Sequence, residues 1–150
     1  MVTLSQVAVL KNEVLSSLYE RCTIPEVPDG DANGVAIFGN GTIIGELISL
    51  LANMVWRGKV FTRERPGYAA LVNKILGLQF VHAEVFRGKS WSDGGDAIII
   101  DYLKTSFIAF YIRDEIRMIE PGLYLGKAYI RLPFGYRFCA LYFALDFRAA

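Results

Sequence analysis

The first segment with a clear apolar period lies at the N-terminus. Its apolar residues recur at helical spacing and predict an amphipathic helix over residues 4–21. Thr3 and Gln6 stand three residues apart, as the two side chains of a capping box do where a helix begins. A loop follows at residues 24–34, where two prolines and two glycines interrupt the period. We therefore expect an N-terminal helix that this loop separates from the rest of the chain.

The next part of the chain mixes short strand-like runs with helical spacing. Residues 34–39 and 56–61 are short apolar runs that predict strands. Residues 42–56 carry apolar residues at helical spacing. Residues 65–77 do so as well, with a proline near the start and a glycine at the end. This part of the chain therefore predicts two strands and two further helices.

The second half of the chain changes in character. Its segments are rich in β-branched and aromatic residues and are separated by short turn signals, which favours strands. The five segments are residues 78–88, 96–104, 106–119, 122–131 and 136–147. Because the spacers are too short for crossover connections, we expect neighbouring strands to be antiparallel.

Together these elements predict an α+β protein with a curved, mostly antiparallel sheet or barrel. We expect about six to eight strands, with the N-terminal helix and one or two further helices packed on the sheet. The 150 residues suit a single domain. Within it, residues 1–24 form the N-terminal helical part and residues 34–150 form the barrel-like core.

One predicted strand contains the segment IRDEIR, residues 112–117, which places four charges in six positions. Strand alternation puts Arg113, Glu115 and Arg117 on one face, and Asp114 among isoleucines on the other. We predict that the first three charges face outward and that Asp114 faces inward.

Neighbouring predicted strands also carry polar residues beside apolar ones. Asp101 shares a face with apolar residues, and His82 and Glu84 share a face with two phenylalanines. Isolated polar groups on an inner face are costly unless they are paired. We therefore predict that these three and Asp114 form one network or line a wet cavity. Asp114, Asp101 and His82 are the candidate acid/base residues. The alternative is that each serves only as a structural hydrogen-bonding group.

A barrel of this size has room for one small ligand. Trp56, Tyr102 and Tyr124 are the aromatic residues that we predict to wall such a pocket, with Glu84 and Arg113 as polar contacts.

Charge and composition narrow the classes of partner. Sixteen Lys and Arg against fifteen Asp and Glu leave a net charge of +1, which argues against nucleic-acid binding. The hydrophobic fraction is 53% with a mean hydropathy of +0.34, which indicates many buried positions, an apolar cavity or an oligomer surface. A single histidine excludes a multi-histidine metal site, and we predict neither a metal nor a cofactor.

Other signals concern location. Cys22 and Cys139 match no metal or redox spacing, so free thiols in a reducing compartment are expected, with a disulfide between them as the alternative. We find no signal peptide, and the lightly charged run at 32–56 is too short in its helical part for a membrane span. A cytoplasmic location is therefore predicted.

A glycine-rich stretch from Gly39 to Gly45 suggests a rival function. It follows a predicted strand and opens a predicted helix, as a dinucleotide-binding turn does, and Arg63 and Arg65 lie beyond the next strand. The spacing is GxGxxxG rather than GxGxxG, and only one βαβ unit can be drawn. An NAD(P)-binding oxidoreductase is therefore the second alternative.

From Trp56 onward, several short pieces occur in an order found in a known group. They are Trp56–Phe61, Ile100–Tyr102 with Thr105-Ser106, Ile112–Glu115, Pro121–Gly126 and Tyr142–Leu145. In this the chain resembles the little-characterised bacterial GXWXG-type domains of unknown function, although Gly39-Asn40-Gly41 stands where Gly-x-Trp is expected. The resemblance implies a compact barrel-like β domain and no catalytic residues.

Two functions from different classes remain. In the first, the barrel holds a small apolar molecule and catalyses an isomerisation or cyclisation without a metal. In the second, the protein is a non-catalytic interaction or assembly module, with a homo-oligomer formed through the N-terminal helix.

Overall fold

The chain folds into a closed barrel of eight strands with two short helices before it. The structure is a computed structural model that describes residues 1–38, 52–53, 56–76, 78–106 and 109–148. The strands are β1 (Gly30–Ile37), β2 (Trp56–Arg65), β3 (Tyr68–Ile75), β4 (Leu78–Lys89), β5 (Asp96–Asp101), β6 (Ile112–Glu120), β7 (Leu123–Arg131) and β8 (Arg137–Asp146). Each strand pairs antiparallel with the next, and β8 pairs with β1 to close the barrel.

The predicted fold class is confirmed, and the five strands predicted in the second half are β4 to β8. The N-terminal helical part consists of α1 (Leu4–Ala8) and α2 (Asn12–Arg21) rather than one continuous helix. The capping box is present: the Gln6 amide donates to the Thr3 hydroxyl, and the Gln6 side chain accepts from the Thr3 amide.

The helix predicted over residues 65–77 is wrong, because β3 occupies this segment. Pro66 and Gly67 form the turn between β2 and β3, and Arg65 pairs with Tyr68 across it. Gly67 has φ +77°, as the third residue of a type II turn does, and a proline suits the position before it. A proline also suits the first turn of a helix, so the same residue predicted the wrong element.

The glycines from Gly39 to Gly45 lie outside the described residues. So does most of the helix predicted over residues 42–56. Ala52 and Asn53 are helical, and Trp56 begins β2. The Asn53 side chain accepts from the Ala36 amide at 2.6 Å and donates to the Ala36 carbonyl at 3.0 Å. This residue therefore hydrogen-bonds to the backbone of β1.

Apolar residues pack on both sides of the barrel wall. Inside, side chains such as Phe61, Leu71 and Ile116 form the main core. Outside, α1 and α2 pack Val7, Leu15 and Tyr19 against Ile37, Leu123, Leu125 and Ala144. Because helices cover part of the outer wall, burial there is as complete as inside.

The segment IRDEIR in β6 has its predicted alternation, with Asp114 facing inward. The three outer charges are also buried, since Arg113, Glu115 and Arg117 are 7%, 0% and 3% exposed. Glu115 accepts hydrogen bonds from the Tyr19 hydroxyl at 2.9 Å, the Trp91 amide at 2.9 Å and Arg113 at 3.0 Å. The outer face of β6 is therefore an internal polar layer and not a solvated surface.

Candidate functional site

A cavity of about 340 Å³ lies inside the barrel. Its volume is near the lower end of the roughly 300–1,000 Å³ that is typical of small-molecule sites. Most of its wall is apolar, formed by Ala36, Phe38, Ala52, Trp56, Ile75, Val81, Ala109, Tyr111, Ile112, Ala128, Leu141 and Phe143. Four polar side chains complete the lining: Lys59, Asn73, Tyr102 and Asp114.

The four polar residues form one hydrogen-bonded cluster around the Lys59 ammonium. Lys59 Nζ lies 3.1 Å from Asp114 Oδ2, 2.6 Å from the Tyr102 hydroxyl and 2.8 Å from Asn73 Oδ1. Both members of the ion pair are buried, with side chains 4% and 5% exposed. The three contacts use the three donors of an ammonium group, so Lys59 is satisfied when it is charged.

The surrounding hydrogen bonds hold this cluster in place. Asn73 donates to the Val81 carbonyl at 3.0 Å and to the Tyr102 hydroxyl at 2.9 Å, while the Trp56 indole donates to Asn73 Oδ1 at 3.1 Å. The Tyr102 hydroxyl donates to Asp114 Oδ2 at 3.3 Å. Each member is thus oriented by at least two others.

One polar atom of the cluster is left for another molecule. Among the described residues, hydrogen bonds to the Asp114 carboxylate reach Oδ2 only. Asp114 lines the cavity, so its Oδ1 is the acceptor that a bound molecule can meet.

Aromatic rings surround Lys59 as well. Its ammonium lies 5.5 Å from the ring centroid of Trp56, 5.4 Å from that of Tyr102 and 5.4 Å from that of Phe143. Ring faces attract a cation at such distances, and the attraction grows as water is excluded. The rings therefore help to keep a positive charge inside the barrel.

Burial and charge act on the proton affinities of the cluster. Burial alone lowers the pKa of Lys59, but Tyr102 and Asp114 outweigh it and raise that pKa above its ordinary value. Burial raises the pKa of Asp114 although Lys59 opposes it, and burial raises the pKa of Tyr102 to about 12. Lys59 is therefore cationic, and Asp114 is a stronger base than an exposed aspartate.

The structure brings three of the predicted site residues together. Asp114, Tyr102 and Trp56 all line the cavity. Tyr124 is also inside the barrel but packs against Phe147 in the core, and it is not among the residues that line the cavity.

The predicted network of His82, Glu84, Asp101 and Asp114 is wrong. His82 is exposed and Glu84 is half-buried, whereas Val81, Ala83 and Val85 of the same strand contact the barrel core. β4 carries a bulge at Val81, where φ is +68° and the register against β3 shifts, so the simple alternation assumed for this strand is interrupted.

Asp101 and Arg113 also point away from the cavity. Ile98 and Ile100 of β5 and Tyr102 just after it lie inside, so Asp101 faces outward and binds Arg131 at 2.8 Å. Asp101 and Asp114 therefore do not form a carboxylate pair. Arg113 lies on the outer face with Glu115.

Lys59 and Asn73 were not predicted as site residues. Lys59 occupies an inward position of β2, two residues before the buried Phe61, and that spacing in an apolar strand was a usable signal. Asn73 was hidden because its strand was predicted as a helix.

The NAD(P)-binding alternative loses support from this geometry. Every pairing of the eight strands is antiparallel, so the described part of the chain has no parallel βαβ unit of the kind that binds a dinucleotide. The same residues contain no group of three or more His, Cys, Asp and Glu side chains placed to share a metal ion. Within the described ranges, no helix has the length and apolar character needed to cross a membrane.

Known proteins similar to this chain support its fold but give no information about the site. No protein-family model matches the chain, and none of the curated proteins does. Among solved structures, the chain is similar to the crystal structure of a protein from Thermomonospora curvata, with 21% identity and a TM-score of 0.57. The match covers 91% of this chain and 87% of that chain. At this identity the likeness concerns the fold alone.

Proposed function

We propose that the barrel binds a small, mainly apolar molecule and uses Asp114 as a proton acceptor toward it. The observation that carries this proposal is the open Oδ1 of Asp114 in a cavity whose wall is mostly apolar. An apolar pocket with a few convergent polar groups is the usual form of a small-molecule site.

The buried ion pair also supports a functional role. Two charges inside a barrel stabilise a fold poorly, since apolar residues of similar volume often do as well or better. Chemistry offers a reason to keep them. A hydroxyl that faces Oδ1 would donate a hydrogen bond to it. An acidic C–H there would transfer its proton to Oδ1 and leave its electron pair delocalised on the ligand, while Lys59 and Tyr102 stay hydrogen-bonded to Oδ2.

An isomerisation fits these groups. Asp114 would take a proton from one position of the ligand and return it at another, so that no metal or redox partner is needed. General acid–base catalysis of this kind contributes about 10²–10⁴-fold in rate. The barrel would promote a cyclisation in another way, because the cavity wall would hold a flexible ligand in a reactive conformation.

Native mass spectrometry of freshly purified protein tests the binding half of the proposal. We expect a non-covalent mass excess that disappears under denaturing conditions. The variant Ala128→Phe should lose this excess, because residue 128 lines the cavity and a ring there would fill it.

Ala70→Phe is the matched control. Ala70 lies in β3 next to Ala69 and Leu71, which contact the barrel core, so strand alternation places it on the outer wall. It should keep the bound mass. Equal retention of the bound mass by both variants would place the ligand elsewhere, and a bare wild-type chain that also binds no apolar probe would refute the proposal.

A further inference from the structure

A second cavity, of about 310 Å³, opens on the outside of the barrel. It is lined by Trp91 in the turn before β5, by Leu132, Gly135 and Tyr136 of the loop between β7 and β8, and by Arg137 at the start of β8. Arg113 and Arg131 complete it, together with Asp101. None of these residues belongs to the interior cavity.

Three guanidinium groups gather around one indole here. Their central carbons lie 4.2 Å (Arg113), 4.5 Å (Arg137) and 5.8 Å (Arg131) from the ring centroid of Trp91. Such contacts hold arginine side chains in fixed positions beside an aromatic face. The cations are therefore preorganised and not dispersed in solvent.

The carboxylates near this cluster do not balance it. Arg131 pairs with Asp101 at 2.8 Å and Arg113 pairs with Glu115 at 3.0 Å, whereas Arg137 forms no ion pair with a described residue. Arg131 and Arg137 also stand directly opposite each other in the β7–β8 register. Like charges in that relation are destabilising, so an anion between them would be favourable.

Hydrogen-bond capacity points the same way. The Nε of Arg131 is buried and has no partner within the described part of the chain. A buried donor without an acceptor is costly, and an arginine donates best to a carboxylate or phosphate. The Arg137 guanidinium also has no acceptor among the described residues, and an anion in the cavity beside Arg131 would supply one.

We infer that this outer cavity binds the anionic end of a small organic phosphate or carboxylate, between Arg131 and Arg137 above Trp91. The cavity is much larger than an oxyanion alone, and its remaining wall includes the exposed side chains of Leu132 and Tyr136. The body of the ligand would lie along these two residues. This site is independent of the interior cavity and of its proposed chemistry.

Nuclear magnetic resonance of ¹⁵N-labelled protein tests the inference. Phenyl phosphate, benzoate and inorganic phosphate are titrated separately at constant ionic strength, and the Arg131 Nε–H and Trp91 indole N–H signals are followed. We expect saturable shifts of both signals, with phenyl phosphate or benzoate binding more tightly than inorganic phosphate. Tighter phenyl phosphate would identify a phosphate ligand, and tighter benzoate a carboxylate ligand.

Arg137→Gln is the decisive variant, because Arg137 is exposed and its loss breaks no described ion pair. It should weaken binding at least about tenfold, equivalent to about 1.4 kcal/mol. Arg57→Gln removes an exposed arginine of β2 and should leave the affinity within about twofold. Shifts that never saturate, or an equal effect of the two variants, would show a general charge effect and overturn the inference.

Discussion

Asp114 is the residue at which the sequence and the site agree most closely. It was the one charge that broke the apolar face of its strand, and it lies in the cavity beside Lys59. Its partner was not predicted, because Lys59 belongs to a strand 55 positions earlier in the chain (114 minus 59). Only closure of the barrel brings the two side chains to 3.1 Å.

Because both charges are buried, removing one leaves the other without its counter-charge. We expect Asp114→Asn to lower the free energy of unfolding by about 3–5 kcal/mol, measured by urea denaturation. The double variant Lys59→Met/Asp114→Asn should recover most of this loss, since no unpaired charge remains inside. It should nevertheless fail to bind or turn over the ligand.

The same change in an exposed pair serves as the control. Asp96 pairs with Lys89 at the surface, where side chains are 49% and 74% exposed, so Asp96→Asn should leave the denaturation midpoint almost unchanged. If Asp114→Asn were equally mild, the pair would not carry two charges in the folded protein.

At the scale of elements, the alternation in β6 predicted which residues share a face but not that the outer face is buried. Its two faces were assigned correctly, but its outer face is covered by α2 and by the turn before β5. Arg117 reaches that turn, where its two terminal nitrogens donate to both oxygens of Asp93 at 2.7 Å. The alternation of residues within one strand does not show whether another element packs on its outer face, because the residues of that element are distant in sequence.

The Asp93–Arg117 pair predicts a pH dependence. The Arg117 hydrogen bonds lower the pKa of Asp93 to about 2, from an ordinary value of 3.8. A lowered carboxyl pKa stabilises the folded state above the ordinary value, and this stability is lost as pH falls through the folded pKa. We expect Asp93→Asn to cost about 1 kcal/mol at neutral pH, a figure reduced because the carboxylate is partly exposed.

The measurement is urea denaturation of both proteins between neutral pH and pH 2. The difference between them should shrink below about pH 4 and be mostly lost at pH 2. Glu13→Gln on the exposed side of α2 is the control and should change the free energy of unfolding by less than about 0.5 kcal/mol. A difference that persists at pH 2 would mean that the charge of Asp93 is not its source.

At the scale of the whole molecule, the N-terminal helices act as part of the barrel. Their apolar residues pack on the outer wall, and Leu15 and Tyr19 are fully buried there. A homo-oligomer formed through residues 4–21 stays a prediction, but the apolar face of the helices that would form its contact already packs against the barrel. Val14, at 47% exposure, is what remains of an apolar surface on α2.

The packing of α2 on the barrel predicts a large loss of stability on substitution of Leu15 and a small one on substitution of its neighbour Val14. Leu15→Ala should lower the free energy of unfolding by about 2–5 kcal/mol, because it opens a void between α2 and the barrel. Val14→Ala should change it by less than about 0.5 kcal/mol. Light scattering of Val14→Asp should give the subunit count of the wild type, whereas a lower count would establish α2 as a subunit contact.

The fold class, a mostly antiparallel sheet or barrel with helices, could be predicted from the periodicity and the turn signals alone. Alternating β-branched and aromatic segments with short spacers allow only antiparallel neighbours, and five such segments suffice to predict most of a barrel. The proline and glycine before β3 were ambiguous, because a proline starts both turns and helices. Which side of β4 and β5 lies inside could not be read from alternation, because β5 is apolar on both faces and β4 carries a bulge at Val81. Asp101 and His82 were placed inside for that reason, while Lys59, Asn73, Tyr102 and Asp114 meet only because closure joins β2, β3, β6 and the end of β5 around one cavity.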